Sequence, residues 1–130
     1  MTIKERHELV ERYLGQTVQI EIDRPIGHVH KKGEKTLIYP INYGYIPKVL
    51  GGDGEELDVY LLGADRPLVA CTCRIVGIVY RENDVEDKLI ASADGRLYSA
   101  DEMAEAIRFQ EQYYRTRVRA LKDIEEPKGK

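Results

Sequence analysis

No apolar run in this 130-residue chain approaches the ~20 residues that a membrane-spanning helix needs. A membrane protein of that kind is excluded. Cationic excess is lacking too: 20 Lys and Arg stand against 23 Asp and Glu, a formal net charge of −3, so no general field draws nucleic acid or anionic lipid and any anion site must be local. Cysteine is scarce. The two present, Cys71 and Cys73 in VACTCRIV, lie two apart in a strand-like stretch, near the upper limit of Cα separation for an unstrained disulfide. Reduced thiols in a reducing compartment are the expected state. His28 and His30 repeat the same i, i+2 arrangement, but a Cys2His2 zinc site usually separates its cysteines by two to four residues on a turn. Also missing are a GxxxxGK[ST] nucleotide loop and the twelve-residue calcium loop with its closing glutamate. With no internal repeat, low-complexity tract or linker, the expectation is one domain over residues 1–130, of which 124–130 form a flexible tail. The charged start MTIKERHELVERYL does not read as a secretory signal, so a cytoplasmic location is expected.

What is present is an ordinary core-forming composition, 42% hydrophobic and 33% charged. Thr2 and Glu5 form a capping box, Leu9, Val10, Tyr13 and Leu14 a helical stripe, and Gly15 a left-handed stop. Val18, Ile20 and Ile22 alternate with Gln19 and Glu21, the period of a half-buried strand that turns Glu21 away from the isoleucines. Further strands are expected at 28–31, 35–39, 57–62, 69–81 and 88–92, between Gly, Pro, Asn and Asp turn signals. Many short strands suggest a small barrel or sandwich. Ser99 and Glu102 form a second capping box, and Met103, Ile107, Tyr114, Val118 and Leu121 continue one apolar stripe of a helix packed on the barrel.

Two acidic clusters stand out. One is Asp53, Glu55, Glu56 and Asp58 in YPINYGYIPKVLGGDGEELDV; the other is Glu82, Asp84, Glu86 and Asp87 in RENDVEDK. Carboxylates this close raise one another's pKa unless solvent or a cation relieves them. Each is a solvated turn or part of a divalent-ion site, and hard ions such as magnesium need only one or two carboxylates with water and phosphate completing the shell. Nearby Tyr39, Tyr43 and Tyr45 offer hydroxyls, and Lys31, Lys48 and Lys88 offer point charges, a combination suited to a polyanionic substrate. Tyr60, Tyr80 and Tyr98 read as half-buried residues with hydroxyls in water.

The segments YPINYGYI and DGEELDV, with CRIVGIVYRENDVEDKLIAS and FQEQYY downstream, resemble the family I soluble inorganic pyrophosphatases over roughly residues 17–115. The resemblance implies an α+β, mainly β fold: a small OB-like five-stranded β-barrel with an N-terminal helix and a packed C-terminal helix. It implies Mg2+-dependent hydrolysis of pyrophosphate to two phosphates, with a metal-activated water attacking in line. By position it assigns Glu21, Asp53, Asp58, Asp84 and Asp87 to metals, Lys31, Tyr43, Lys88 and Tyr113 to substrate, and Glu55 and Asp58 to catalysis. It also implies a homo-oligomer, with neither nucleic acid nor membrane as partner.

The departures from the family pattern are specific. Glu55 stands where the family has an aspartate, Glu56 where it has proline, Lys31 where it has arginine, and Tyr114 where it has lysine. One family phosphate lysine has no clear counterpart, leaving Arg24 and His28 as candidates, and one metal aspartate falls at Asn83 or Asp84, with Asp84 preferred for its charge. A displaced carboxylate of ~1 Å costs about a hundredfold in rate unless the loop compensates. Other readings are therefore a hydrolase of another phosphoanhydride, or a diphosphate- or metal-binding module with impaired catalysis. A single-strand nucleic-acid platform built on the tyrosines conflicts with the acidity of the same stretch.

Overall fold

The computed structural model describes residues 1–127. Residues 128–130, the end of the expected tail, lie outside them. The chain runs α1 (Ile3–Glu11), β1 (Thr17–Arg24), β2 (Val29–Lys32), β3 (Lys35–Ile38), β4 (Asn42–Leu50), β5 (Glu56–Leu62), β6 (Ala70–Arg81), β7 (Lys88–Ser92), α2 (Ala100–Glu111), β8 (Thr116–Ala120) and α3 (Lys122–Glu125). Strand β1 pairs with both β4 and β6, which closes the order β1-β4-β5-β7-β6 into a five-stranded barrel. All these pairings are antiparallel except β5 with β7. Closure removes the open edges that would otherwise recruit another chain.

The twelve-residue β6 serves two partners along one margin: residues 70–74 pair with β1 and residues 77–81 with β8. Strands β2 and β3 form a separate hairpin, with Val29 opposite Ile38 and Lys32 opposite Lys35.

Period-two alternation sorts the core into two layers. Leu57, Val59 and Leu61 of β5 join Ile20, Ile75, Ile78 and Leu89 on the face that Val10 of α1 covers. Tyr60 and Leu62 join Tyr43, Val79 and Ile90 on the opposite face, under Met103 and Ile107 of α2. Because β5 and β7 are buried on both faces, they read as nearly continuous apolar runs. Both capping boxes form as their sequences require, with Thr2 and Ser99 each accepting from the backbone N–H of the glutamate three residues on. Gly15 takes the left-handed conformation at φ +90° beyond α1.

At Gly44 the strands β1 and β4 come together so closely that a Cβ would lie 1.8 Å from the Glu21 carbonyl oxygen. Only glycine fits there, and its absence of side chain lets Glu21 and Tyr45 stand side by side.

Two expectations are corrected. Strand β4 comprises the residues of NYGYIPKVL, whose proline and glycine hide its alternation. The C-terminal stripe does not continue as helix to Leu121: α2 ends at Glu111 and residues 116–120 form β8, where Val118 and Ala120 alternate with exposed Arg117 and Arg119. The β-branched Thr116 and Val118 and the free margin of β6 outweigh the helical spacing. Tyr114 is thereby released from the helix to the side of the barrel.

Candidate functional site

The register of four strands sets out one row of polar residues: Glu21 on β1 is opposite Tyr45 on β4, and Tyr45 is opposite Asp58 on β5. Val59 is opposite Leu89, which puts Lys88 of β7 beside Asp58. All four belong to the face that α2 partly covers, and the row continues past the end of the helix into an open cavity of about 600 Å³.

Lys88 occupies the deepest corner. Its ammonium lies 2.8 Å from Asp58 Oδ2, 2.6 Å from Glu86 Oε1 and 2.8 Å from the Tyr43 hydroxyl, which itself donates to Asp58 at 2.9 Å. The lysine side chain is 3% exposed and that of Asp58 27%, so the acid is the member of the pair that meets solvent. Burial, reinforced by Asp58, raises the Tyr43 phenol well above its ordinary range. That hydroxyl is a fixed neutral donor at physiological pH.

Glu86 is the functional residue that the position-by-position assignment missed. Burial, reinforced by a hydrogen bond with Asp53, lifts its carboxyl to about 7, while Lys88 acts in the other direction. Asp53 is held below the usual carboxylate range, chiefly by that same bond with Glu86. The two carboxyl groups are coupled, Glu86 being raised and Asp53 lowered. Glu86, two residues before Lys88 and just outside β7, bonds to it, whereas Asp87 does not.

Asp87 points the other way. It is 1% exposed, its Oδ2 lies 2.7 Å from His7 Nδ1 and 3.3 Å from Arg6 Nε, and its Oδ1 accepts from the Arg81 N–H at 3.1 Å. Its assignment to a metal is therefore corrected: Asp87 fastens α1 to the end of β6, with no oxygen facing the cavity.

Lys31, Tyr43, Asp58, Lys88 and Tyr113 all line the cavity. Glu21 accepts from the Tyr45 hydroxyl at 2.7 Å, outside that lining, and this bond with Glu21, together with burial, moves the Tyr45 phenol up to about 12. Asp84 is spent on Arg81 at 2.8 Å and on the Val85 N–H. Burial would raise its carboxyl, but these two partners hold it below the ordinary range. Glu55 is exposed on the turn after Gly54, with its N–H donating to Asp53 Oδ1 at 3.0 Å, and it too lies outside the lining.

Beneath the cavity runs a buried polar chain that sequence alone did not reveal. Arg24 donates to the Tyr39 hydroxyl, Tyr39 to Gln110, Gln110 to Tyr60, Tyr60 to Glu111, and Glu111 accepts two bonds from Arg81 at 3.0 and 2.6 Å. Tyr60 is accordingly fully buried with its hydroxyl satisfied by protein, not by water. Burial would lower the Arg81 guanidinium, but Glu111 more than offsets this and raises it. Tyr80 and Tyr98 likewise direct their hydroxyls to carboxylates, Glu11 and Asp94.

The opposite wall is basic. Arg24, His30, Lys31, Lys32 and Lys35 line it. Arg24 packs against the rings of Tyr39 and Tyr43, with its guanidinium carbon 5.6 and 5.5 Å from their centroids. The cavity so combines a carboxylate corner with a cationic wall.

Among the described residues, no three acidic, histidine or cysteine side chains already converge as a metal cage. What exists is a chain: Asp53 to Glu86, then Lys88, then Asp58. Around the Lys88 ammonium its acidic members, Asp53, Glu86 and Asp58, offer carboxylate oxygens, the donor type that a hard divalent ion takes. The donor chemistry suits such an ion, although Lys88 already pairs with two of these carboxylates. Cys71 and Cys73 lie on β6, while His28 precedes β2 and His30 lies within it.

The sequence model of the family described as inorganic pyrophosphatase matches residues 9–126. Among curated relatives, an inorganic pyrophosphatase of Rickettsia felis is 34% identical over 62% of this chain and 50% of its own length. One of Saccharolobus solfataricus is 35% identical over 63% of this chain and 51% of its own. The chain thus spans about half the length of the curated relatives it matches. Inorganic pyrophosphatase structures from Ehrlichia chaffeensis (TM-score 0.63, 16% identity, 83% of this chain and 88% of that one) and Neisseria gonorrhoeae (0.58, 22%, 86% and 77%) share the fold.

Proposed function

The chain belongs to the inorganic pyrophosphatase family, and from that premise we propose that it hydrolyses pyrophosphate to two phosphates with Mg2+ as cofactor. The observation that carries this is the cavity where Asp58, Glu86, Lys88 and Tyr43 meet beside a cationic wall. Acid on one side suits a divalent ion, and base on the other suits phosphoryl oxygens.

In this scheme Asp53, Glu86 and Asp58 hold the ion, and Glu21, one strand further along the row, contributes at its margin. A divalent ion bound there supplies charge neutralisation and a lowered pKa of coordinated water. Asp58, the exposed member of its pair, takes the proton of the attacking water. Lys88, held in place by the Tyr43 hydroxyl, meets the charge that develops on the phosphoryl oxygens, and Lys31 and Tyr113 bind the leaving phosphate from the opposite wall. Glu55 is a second catalytic carboxylate only when its turn closes over the cavity. Asp84 acts through Arg81, as a positioning residue.

The hard oxygen donors favour Mg2+ over softer ions. Free Cys71 and Cys73 support a reducing, cytoplasmic setting, and no helix among the described residues is long and apolar enough to cross a membrane. The exposed apolar pair Val29 and Ile38 supports association into a homo-oligomer.

Phosphate release from pyrophosphate, measured with Mg2+ and with EDTA, tests the proposal. Metal-dependent release is expected. Tight diphosphate binding without release would favour the impaired binding module, for which Lys88 already neutralises two of the carboxylates that a cation would use.

A further inference from the structure

The cavity is larger and more cationic at its outer end than diphosphate requires. A volume of about 600 Å³ falls within the range of pockets that enclose drug-sized ligands, whereas diphosphate has only about nine non-hydrogen atoms in all. The surplus space lies against the β2–β3 hairpin, which brings Lys31, Lys32 and Lys35 to the lining. Lys32 and Lys35 are direct cross-strand partners. Like charges so placed destabilise a hairpin unless an anion lies between them. Among the described residues none of the three lysines makes an ion pair with a carboxylate, while Lys88 in the deep corner makes two.

The aromatic groups at this end are not arranged as a slot for a base. Lys35 Nζ lies 3.9 Å from the centroid of the Tyr113 ring, and the Arg81 guanidinium carbon lies 3.7 Å from that of Tyr114. One face of each ring is already covered by a cation. Lys32 reaches the Tyr114 hydroxyl at 3.5 Å, so the lysines and tyrosine hydroxyls together form a polar, donor-rich wall. Such a wall matches further phosphate groups and offers a nucleoside little.

We infer that the cavity takes linear inorganic chains of three or more phosphates, with the phosphates beyond the second seated against Lys32 and Lys35 of the hairpin. For the chemistry this rests on the hydrolytic function proposed above; for binding it stands independently. In hydrolysis of tripolyphosphate the water oxygen bonds to the terminal phosphorus and that phosphorus loses its bond to the bridging oxygen. The bridging oxygen leaves with the electron pair as part of diphosphate, and the water proton passes to Asp58 and then to solvent. The products are one phosphate and one diphosphate, the latter a substrate for a second round.

The test uses the full chain and its K32A/K35A double variant. Calorimetric titration in EDTA, where no turnover occurs, compares tripolyphosphate, diphosphate and ADP at low salt. Tripolyphosphate is expected to bind about tenfold tighter than diphosphate, and the double variant to lose that preference because its affinity for tripolyphosphate falls more than its affinity for diphosphate. Relief of the Lys32–Lys35 repulsion should leave the unliganded variant at least as heat-stable as the parent. Equal affinity for the two chains, equal losses for both in the variant, or ADP binding as tightly as tripolyphosphate would each overturn the inference. Phosphate release with Mg2+ separates the two claims: release from diphosphate alone sinks the longer-chain substrate, whereas a tripolyphosphate preference in EDTA without any release sinks the hydrolysis and upholds the binding site.

Discussion

Lys88 Nζ sits 2.8 Å from Asp58 Oδ2, and the aspartate is the more exposed member of this pair, at 27% against 3%. A buried ammonium that keeps a second carboxylate, Glu86 at 2.6 Å, stays paired when Asp58 is neutralised. Asp58→Asn should therefore reduce pyrophosphate turnover by at least about a hundredfold, in the range seen when one charge-stabilising group is removed, while the thermal midpoint moves by only a few degrees. Steady-state kinetics beside a thermal melt check this. A large fall in melting temperature would assign Asp58 a structural role instead.

Asp87 makes the opposite case. Its carboxylate is sealed among Arg6, His7 and the Arg81 N–H. Asp87→Asn should cost about 3 kcal/mol of stability, the usual consequence of breaking a buried ion pair from one side, read from the urea midpoint at unchanged slope.

The Arg81–Glu111 pair is buried on both sides, at 3% and 4% side-chain exposure. Arg81→Leu should destabilise by about 3–5 kcal/mol because it strands Glu111 beside Tyr60, and adding Glu111→Leu should recover part of the loss. A double variant less stable than the single would contradict the pairing.

Lys48 has φ +66°, the one positive value outside glycine among the described residues. It sits where the β4–β5 register shifts, and its N–H donates to Glu56 at 2.8 Å, a bond that glycine retains. Lys48→Gly should raise stability by about 0.5–1 kcal/mol through release of left-handed strain, less the entropy glycine loses on folding. Equilibrium urea unfolding measures it, and a net loss would mean the lysine side chain contributes more than its strain costs.

Cys73 is buried and its thiol is pushed up to about 12, first by burial and then by Cys71. A raised thiol pKa means less thiolate at any given pH, and the thiolate is the reactive form. In the native protein at pH 8, iodoacetamide should therefore modify half-exposed Cys71 alone, and both thiols in urea. Mass spectrometry of the digested protein distinguishes the sites.

Much of this was legible in the sequence, and the exceptions share a cause. Period-two spacing and capping boxes are local signals, and they located α1, the start of α2 and most barrel strands. Tyr43, Asp58 and Lys88 were legible as chemistry because their motif segments keep the family's spacing. Strand β4 was hidden by its glycine and proline, and β8 by a helical spacing that the free margin of β6 overrode. The resemblance implied Asp87 by position, but the carboxylate that reaches Lys88 is that of Glu86, because Asp87 is held by Arg6, His7 and the Arg81 N–H, contacts between distant parts of the chain. The chain from Arg24 through Gln110 to Arg81 was illegible, since its members come together only when α2 closes on the barrel.

The most direct measurement is phosphate release from pyrophosphate by the parent, Glu86→Gln and Asp87→Asn proteins, with Mg2+, at a temperature where all three are folded. The site described here predicts metal-dependent release by the parent, a loss of at least about a hundredfold in Glu86→Gln, and activity within about fivefold of the parent in Asp87→Asn. No release by the parent, or a Glu86→Gln protein that turns over normally while Asp87→Asn is inactive, would contradict it.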